Sequence, residues 1–256
     1  MVTNYVLPFP FEAPSRNPWE QSNEVRLSLE TVAPLSAADM EVLEGCVLPF
    51  WFLASSGALF GGTGQKHTSI PEAPTFSGKD RSFQFTFQGW NLDERASQCL
   101  VCLLLAAHED LPLKQVRLSI VGKAPPKPVT IDPRLDAPYP QAPSRPPFAW
   151  TIEDSESETR ELHIRFVEQL SDAQRELIEG ELDSVGIALA VGAYGVTPVP
   201  PRECGCLPSE EVSFSGDELD WLMEDCRFHP AALEGLIGVC ASLHHHVAAI
   251  REVTIS

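Results

Sequence analysis

LSAADMEVLEG, residues Leu35–Gly45, recurs without a gap as LSDAQRELIEG, residues Leu170–Gly180. The two segments share Leu, Ser, the second Ala of the first segment, both Glu and the final Gly. Other segments recur in the same order: APSRNPW (Ala13–Trp19) as APSRPPF (Ala142–Phe148), and QVRLSI (Gln115–Ile120) as EVTIS (Glu252–Ser256). Because several segments recur in one order, the sequence indicates an internal duplication.

Hydrophobic periodicity predicts the same run of elements in each copy. Ser36 and Ser171 are placed as helix N-caps, each with an acid in the first turn. The second helices are predicted over Asp93–Glu109 and Pro230–His245. The predicted strands are Arg26–Thr31, Pro49–Ser56, Phe83–Trp90 and Gln115–Ile120 in copy one, and Leu162–Glu168, Val185–Tyr194, Glu211–Gly216 and Glu252–Ser256 in copy two.

This order, β-α-β-β-α-β twice, predicts an α+β fold made by tandem duplication of a ferredoxin-like βαββαβ unit. Each unit is expected to form a four-stranded antiparallel sheet with both helices on one face, and the two units to be related by a pseudo-two-fold axis. The predicted first repeat, with a Pro-rich N-terminal strap, covers residues 1–120, and the second covers residues 148–256. Residues 121–147 form a Pro-rich linker, which is either an exposed spacer or partly a strap docked on each unit.

Charge is distributed unevenly between the copies. The chain has 256 residues and a formal net charge of −18. Residues 150–256 hold 21 acids and 6 Arg with no Lys, which leaves 15 acids and 12 bases of the totals of 36 and 18 for the rest of the chain. An acidic chain without clustered Lys and Arg is not expected to bind nucleic acid or anionic lipid. A basic protein is the expected partner.

The uncharged stretch Cys46–Gln65 approaches the length of a membrane-spanning helix. Pro49, the glycines near its end and the strand predicted within it argue against a span, so no membrane contact is expected. The N-terminus has no signal-peptide pattern, since its first basic residue is Arg16. Seven Cys cannot all pair. A cytoplasmic protein with reduced thiols is expected.

Acidic residues surround an aromatic residue in the second copy, in the segment DELDWLMED. An aromatic side chain ringed by acids is typical of a binding hot spot for a Lys/Arg-rich partner. The alternative is a solvated helical turn whose Trp and Leu point into the core. The residues of the predicted partner-binding site are Glu210, Glu211, Asp217, Glu218, Asp220, Trp221, Glu224 and Asp225.

Four residues of the second copy, Cys204, Cys206, Cys226 and His229, are weak candidates for a zinc site, because zinc takes four N/S ligands in two close pairs. The C-x-C spacing is tighter than usual, so buried or incidental thiols are the alternative, and no cofactor is predicted. The Cys99-x-x-Cys102 pair lies in mid-helix, where core packing accounts for it better than redox chemistry. The glycine-rich segment Gly61–Thr68 lacks phosphate-loop spacing and is interpreted as a hairpin connection.

No catalytic constellation and no family motif stands out. We therefore expect a non-catalytic binding module, most specifically an immunity protein or inhibitor that masks the active site of a basic toxin or nuclease. A regulatory protein that holds a small molecule between the repeats, or a metal at the Cys/His set, is the alternative. An enzyme with a cleft between the copies ranks last, because nothing assembles a nucleophile, a base and oxyanion donors.

Overall fold

The computed structural model describes residues 6–14, 23–56, 73–89, 94–131, 146–153, 158–194, 205–208, 212–227 and 231–256. Over these residues the fold is α+β, with four helices and two mixed sheets. The elements of the first half are β1 (Phe11–Ala13), β2 (Asn23–Thr31), α1 (Ala37–Ser56), β3 (Thr75–Lys79), β4 (Ser82–Gly89), α2 (Glu94–Asp110), β5 (Leu113–Ile120) and β6 (Lys127–Pro128).

The second half repeats this order with two differences: one strand is divided in two, and no counterpart of β6 occurs among the described residues. Its elements are β7 (Ala149–Ile152), β8 (Arg160–Phe166), α3 (Asp172–Ala190), β9 (Gly205–Pro208), β10 (Ser213–Ser215), β11 (Glu218–Arg227), α4 (Ala231–His246) and β12 (Ile250–Ile255). Strands β9 and β10 both pair with β11, on the side away from β8. They therefore share the place that β3 occupies alone beside β4.

The two sheets have matching strand orders, β3-β4-β2-β5-β1-β6 and β10-β11-β8-β12-β7 with β9 also on β11. The expectation of four-stranded, purely antiparallel sheets is wrong. Strands β1 and β7 add a parallel neighbour to the strand that follows the second helix of each half, β5 and β12. Three or four residues per added strand give too short an alternation for sequence periodicity to detect.

Two predicted strands are instead the second halves of helices. Residues 49–56 belong to α1, and residues 185–190 of the stretch predicted over Val185–Tyr194 belong to α3. Helix α1 packs against α2, α3 and β4, so its last turns are surrounded by protein. A helix buried on several sides has no polar face, and its apolar run therefore resembles a buried strand.

The strand predicted over Phe83–Trp90 has a different counterpart in the second half from the one predicted. That strand is β4, and its equivalent in the second half is β11, not the stretch Glu211–Gly216. In both halves a two-residue turn joins the hairpin, at residues 80–81 and at residues 216–217. The carbonyls of Arg81 and Asp217 accept hydrogen bonds from Thr31 and Phe166 at 2.9 and 2.8 Å.

The predicted N-caps are both present. Ser171 caps α3, and Gln174 returns the bond to the Ser171 backbone. In the first half Ser36 accepts from the backbone of Asp39, whose carboxylate accepts from the Ser36 N–H at 2.7 Å. Hydrogen bonds from the backbone and the side chain of Ser36 lower the pKa of the Asp39 carboxyl.

Strand alternation gives each sheet one buried face and one helix-free face. On the buried faces, apolar residues such as Leu27 and Leu162 pack beneath the helices. The two halves meet through α1 and α3, and their buried side chains form one hydrophobic cluster. No helix in the described part of the chain combines the length and the apolar character that crossing a membrane requires.

Candidate functional site

The acidic segment predicted to bind a partner is a hairpin turn followed by strand β11. Asp217 lies in the turn, and Glu218, Asp220 and Glu224 alternate along the strand. Alternation directs these three side chains to the helix-free face of the second sheet. Glu210 and Glu211 lie outside the described residues.

Trp221 does not belong to that surface. It is 1% exposed and points with Leu219 and Met223 into the core. The alternative interpretation, in which Trp221 points inward, is confirmed for this residue, although the segment is a strand and not a helical turn. Leu222 takes the outward position beside it and is 40% exposed. Trp221 is therefore unavailable as the aromatic anchor of a binding site.

Glu218 is held in place by an arginine of the neighbouring strand. Nε and Nη2 of Arg165 donate to Glu218 Oε1 at 3.0 and 2.8 Å. Glu252 of β12 approaches the other side of the same guanidinium, at 3.9 Å from Nη1. The hydrogen bond and the charge of Glu218 raise the pKa of Arg165. One cation is thus shared between carboxylates from two flanking strands.

Asp220 is held by a histidine in the next cross-strand pair, two residues along β11 from Glu218. Its Oδ1 lies 2.5 Å from Nδ1 of His163, which is the directly opposed residue on β8. Ser213 of β10 and Thr254 of β12 continue this line of residues on the flanking strands. An ordered Asp–His pair on a flat surface offers hydrogen-bonding groups to a ligand. It does not form an enclosed site.

The helix-free face of the second sheet is acidic. Its acids within the described chain are Glu161, Glu218, Asp220, Glu224 and Glu252, and His163 lies among them. Two described bases accompany these five acids: Arg165, and Arg251 at the β12 bulge, which is the counterpart of Lys114 in the first half. The acidic segment of the sequence therefore joins acids from β8 and β12 that lie far from it along the chain.

The equivalent face of the first sheet is balanced. Arg117 pairs with Glu12 at 2.7 Å, and Lys114 pairs with Glu30 at 2.6 Å. Its other described charges include Glu24, Arg26 and Lys79. The two halves share a strand order but differ in the charge of the surface that each sheet presents.

The four weak metal candidates are only partly described. Cys204 and His229 lie outside the described residues, and for Cys206 only the backbone is described. The pairing of Gly205 with Arg227 and of Leu207 with Glu224 places Cys206 beside the bulge that holds Cys226. The Cys226 thiol donates to the Met223 carbonyl at 3.5 Å. No group of three potential metal ligands occurs among the described residues.

Cys99 and Cys102 are buried within α2, as expected for core packing. Burial raises the pKa of the Cys99 thiol well above its usual value. Such a thiol stays protonated and is a poor nucleophile. The glycine-rich segment Gly61–Thr68 lies outside the described residues.

Two histidines have a role that sequence reasoning missed. Nδ1 of His108 accepts the backbone N–H of Leu113 at 2.9 Å, and Nδ1 of His244 accepts that of Ile250 at 2.9 Å. Each ring also lies against a phenylalanine, Phe9 and Phe148, with ring centroids 5.4 and 5.7 Å apart. Each histidine thus closes the connection between the second helix and last strand of its half.

No protein-family model matches the sequence, and no curated protein matches it either.

Proposed function

We propose that this protein is a non-catalytic binding protein whose second sheet docks a basic protein. The observation that carries the proposal is the contrast between the two helix-free faces, one balanced and one acidic. Because the two halves share a strand order, the helix-free face of the first sheet serves as a comparison for that of the second. The acidic excess is confined to one of two surfaces built on the same strand order.

An acidic face of this kind speeds association with a basic protein and favours it over acidic competitors. The surface is carried by paired strands, and Glu218 and Asp220 are already held by Arg165 and His163. Such preorganisation lowers the entropy lost on binding. The specific version that we favour is an immunity protein or inhibitor, acting in the cytoplasm, which covers the basic active site of a toxin or nuclease.

We further propose that each half derives from the ferredoxin-like βαββαβ unit, extended by an edge strand. The support is the antiparallel order β3-β4-β2-β5 and its counterpart β10-β11-β8-β12. In both, the first and third strands of the unit are central and adjacent, as that topology requires.

The test is affinity capture from the source cells at low and high salt, about 0.05 M and about 0.5 M, with mass spectrometry of what is retained. We expect a stoichiometric basic protein that is lost at high salt. Reversing two acids of the acidic face, Asp220→Lys with Glu224→Lys, should abolish capture. The matched control reverses two acids of the balanced face, Glu24→Lys with Glu30→Lys, and should retain the partner. Equal capture by both variants would contradict the proposal.

A metal-binding regulator is the second candidate, because the β9–β11 pairing brings the backbone of Cys206 beside Cys226. Elemental analysis of protein purified without added metal tests this function. Stoichiometric zinc that is lost on Cys206→Ser, but kept on Cys240→Ser, would support it. Cys240 is a suitable control since it is buried in α4, where desolvation raises its pKa to about 12.

A further inference from the structure

Strands β1 and β7 occupy equivalent outer positions in the two sheets. Phe11 of β1 pairs with Val116, which in turn pairs with Leu29 of β2. Trp150 of β7 pairs with Val253, which pairs with Ile164 of β8. Phe11 and Trp150 are therefore structural counterparts.

The outer edge of β1 is covered by the chain itself. Strand β6 pairs with it antiparallel, so that Glu12 and Ala13 face Pro128 and Lys127. Val129 then donates its N–H to the Phe11 carbonyl at 3.1 Å. Ile131 is buried beyond it, and Phe11 is only 3% exposed.

The outer edge of β7 carries no strand in the described part of the chain. The N–H of Glu153 points inward, to the Ile255 carbonyl at 2.7 Å. Since backbone groups alternate in direction along a strand, those of Trp150 and Ile152 point outward. Trp150 is 45% exposed, in contrast to its counterpart Phe11. An edge with outward N–H and C=O groups is a template for strand addition.

We propose that the β7 edge receives an extended segment of the basic partner, paired antiparallel to β7 as β6 is to β1. This inference rests on the proposed function and names the place where the partner's chain adds to the sheet. The Trp150 carbonyl accepts a backbone N–H of that segment, as Phe11 accepts that of Val129, and its indole supplies the aromatic contact.

The charge of the protein identifies the occupant as basic. The half that bears β7 has 21 acids and 6 Arg over residues 150–256, and the segment that covers β1 itself contains Lys127. A second copy of the chain is disfavoured, because each copy carries a net charge of −18. A Lys/Arg-bearing segment is therefore the complementary occupant.

The probe is a fluorescent peptide with the sequence of residues 123–131, KAPPKPVTI, titrated into the full chain at low salt and followed by fluorescence anisotropy. In the intact chain these residues already cover β1, so the free peptide has the β7 edge as its target. We expect saturable binding that weakens at high salt. Trp150→Pro should weaken it at least about tenfold, because proline removes the outward N–H and is tolerated at a strand edge.

Two controls keep the test independent of folding. A peptide with N-methylated valine lacks the donated N–H and should bind at least about tenfold more weakly to the unaltered protein. Leu177→Ala removes an exposed apolar side chain of α3, outside the second sheet, and should leave the affinity unchanged.

No binding of the peptide, or equal binding of its N-methylated form, overturns the inference. Concentration-dependent dimerisation that Trp150→Pro abolishes also overturns it, in favour of a second copy on this edge. These failures are distinct from failure of the proposed function. If the natural partner is still captured in a salt-sensitive manner by the Trp150→Pro variant, the proposed function stands and the β7 edge is not its site.

Discussion

Trp221 and Leu222 are sequence neighbours on opposite faces of β11, and this difference decides what each contributes. Trp221 is among the largest fully buried side chains, so Trp221→Ala leaves a cavity. We expect it to lower the free energy of unfolding by about 3–5 kcal/mol, to be measured by urea denaturation.

The matched control for this prediction is Leu222→Ala. Because Leu222 is 40% exposed and its truncation leaves no enclosed cavity, the loss of stability should be no more than about 1 kcal/mol. If Trp221→Ala were as stable as the unaltered chain and lost only partner binding, the assignment of Trp221 to the core would be wrong.

His108 makes stability depend on pH. Its Nδ1 accepts the Leu113 N–H, so the bonded ring is neutral, and burial lowers its pKa from the usual value of 6.5. The unfolded chain therefore binds this proton more readily than the folded chain. The contribution is fully present above the unfolded-state pKa and is lost as the pH falls through and below about 6.5.

The urea concentration at the midpoint of unfolding should accordingly decrease as the pH is lowered from about 8 to about 5.5. His108→Asn retains a side-chain acceptor but does not titrate, so this variant should show a smaller fall. Burial and the neighbouring His244 and His246 also lower the pKa of His245, so His245 adds to the pH dependence of both proteins. The contribution of His108 is therefore the difference in the fall of the urea midpoint between the unaltered chain and the His108→Asn variant. Identical pH profiles would show that His108 contributes nothing to this dependence.

At the scale of the element, the capping boxes at Ser36 and Ser171 are the clearest determinants. Ser171→Ala removes the acceptor for the Gln174 N–H and should cost about 1 kcal/mol of stability. Ser36→Ala should cost a similar amount in the other half. Ser184→Ala, in the middle of α3, is the control for Ser171→Ala and should be neutral or slightly stabilising. A larger loss at Ser184 than at Ser171 in urea denaturation would contradict this account.

The same elements show how far sequence reasoning extends. Serine caps and alternating strands carry local signals, so the starts of α1 and α3 and the strands β2, β4 and β8 were predictable. The second half of α1 was not, because burial against other helices and strands removes its polar face. The second half of α3 was not either, because its exposed positions, Ile187 and Ala190, are themselves apolar. Strands β1 and β7 depend on partners more than a hundred residues away along the chain and have no local signal strong enough to show them.

The sequence predicted which acidic residues belong to the candidate site, but it did not predict which of their side chains share one face of the sheet. The sequence displays the acids of β11, yet which of them face outward follows from the strand register. His163, Arg165 and Glu252 come from other strands and were not recognised as part of the same surface. The sequence carries no signal for the exposed Trp150, whereas the acids that flank Trp221 in the sequence predict a surface position for a side chain that is buried.

At the scale of the whole molecule, the net charge of −18 sets the response to salt. Repulsion among excess acids opposes the compact state and is screened by ions. Raising salt from about 0.01 M to about 0.2 M should therefore raise the urea midpoint. Neutralising exposed acids of α3, Glu176→Gln with Asp183→Asn, should reduce this rise. A midpoint that falls with salt would mean that attractive pairs such as Arg165–Glu218 outweigh the repulsion.

The contact between α1 and α3 joins the buried side chains of both halves into one cluster. If the halves unfold together for this reason, a partner that binds only the folded second sheet protects the first sheet as well. At a partner concentration of a hundred times Kd this protection amounts to about 2.7 kcal/mol. Backbone amides of β2 and β4, which such a partner never touches, would then exchange with solvent more slowly in the complex.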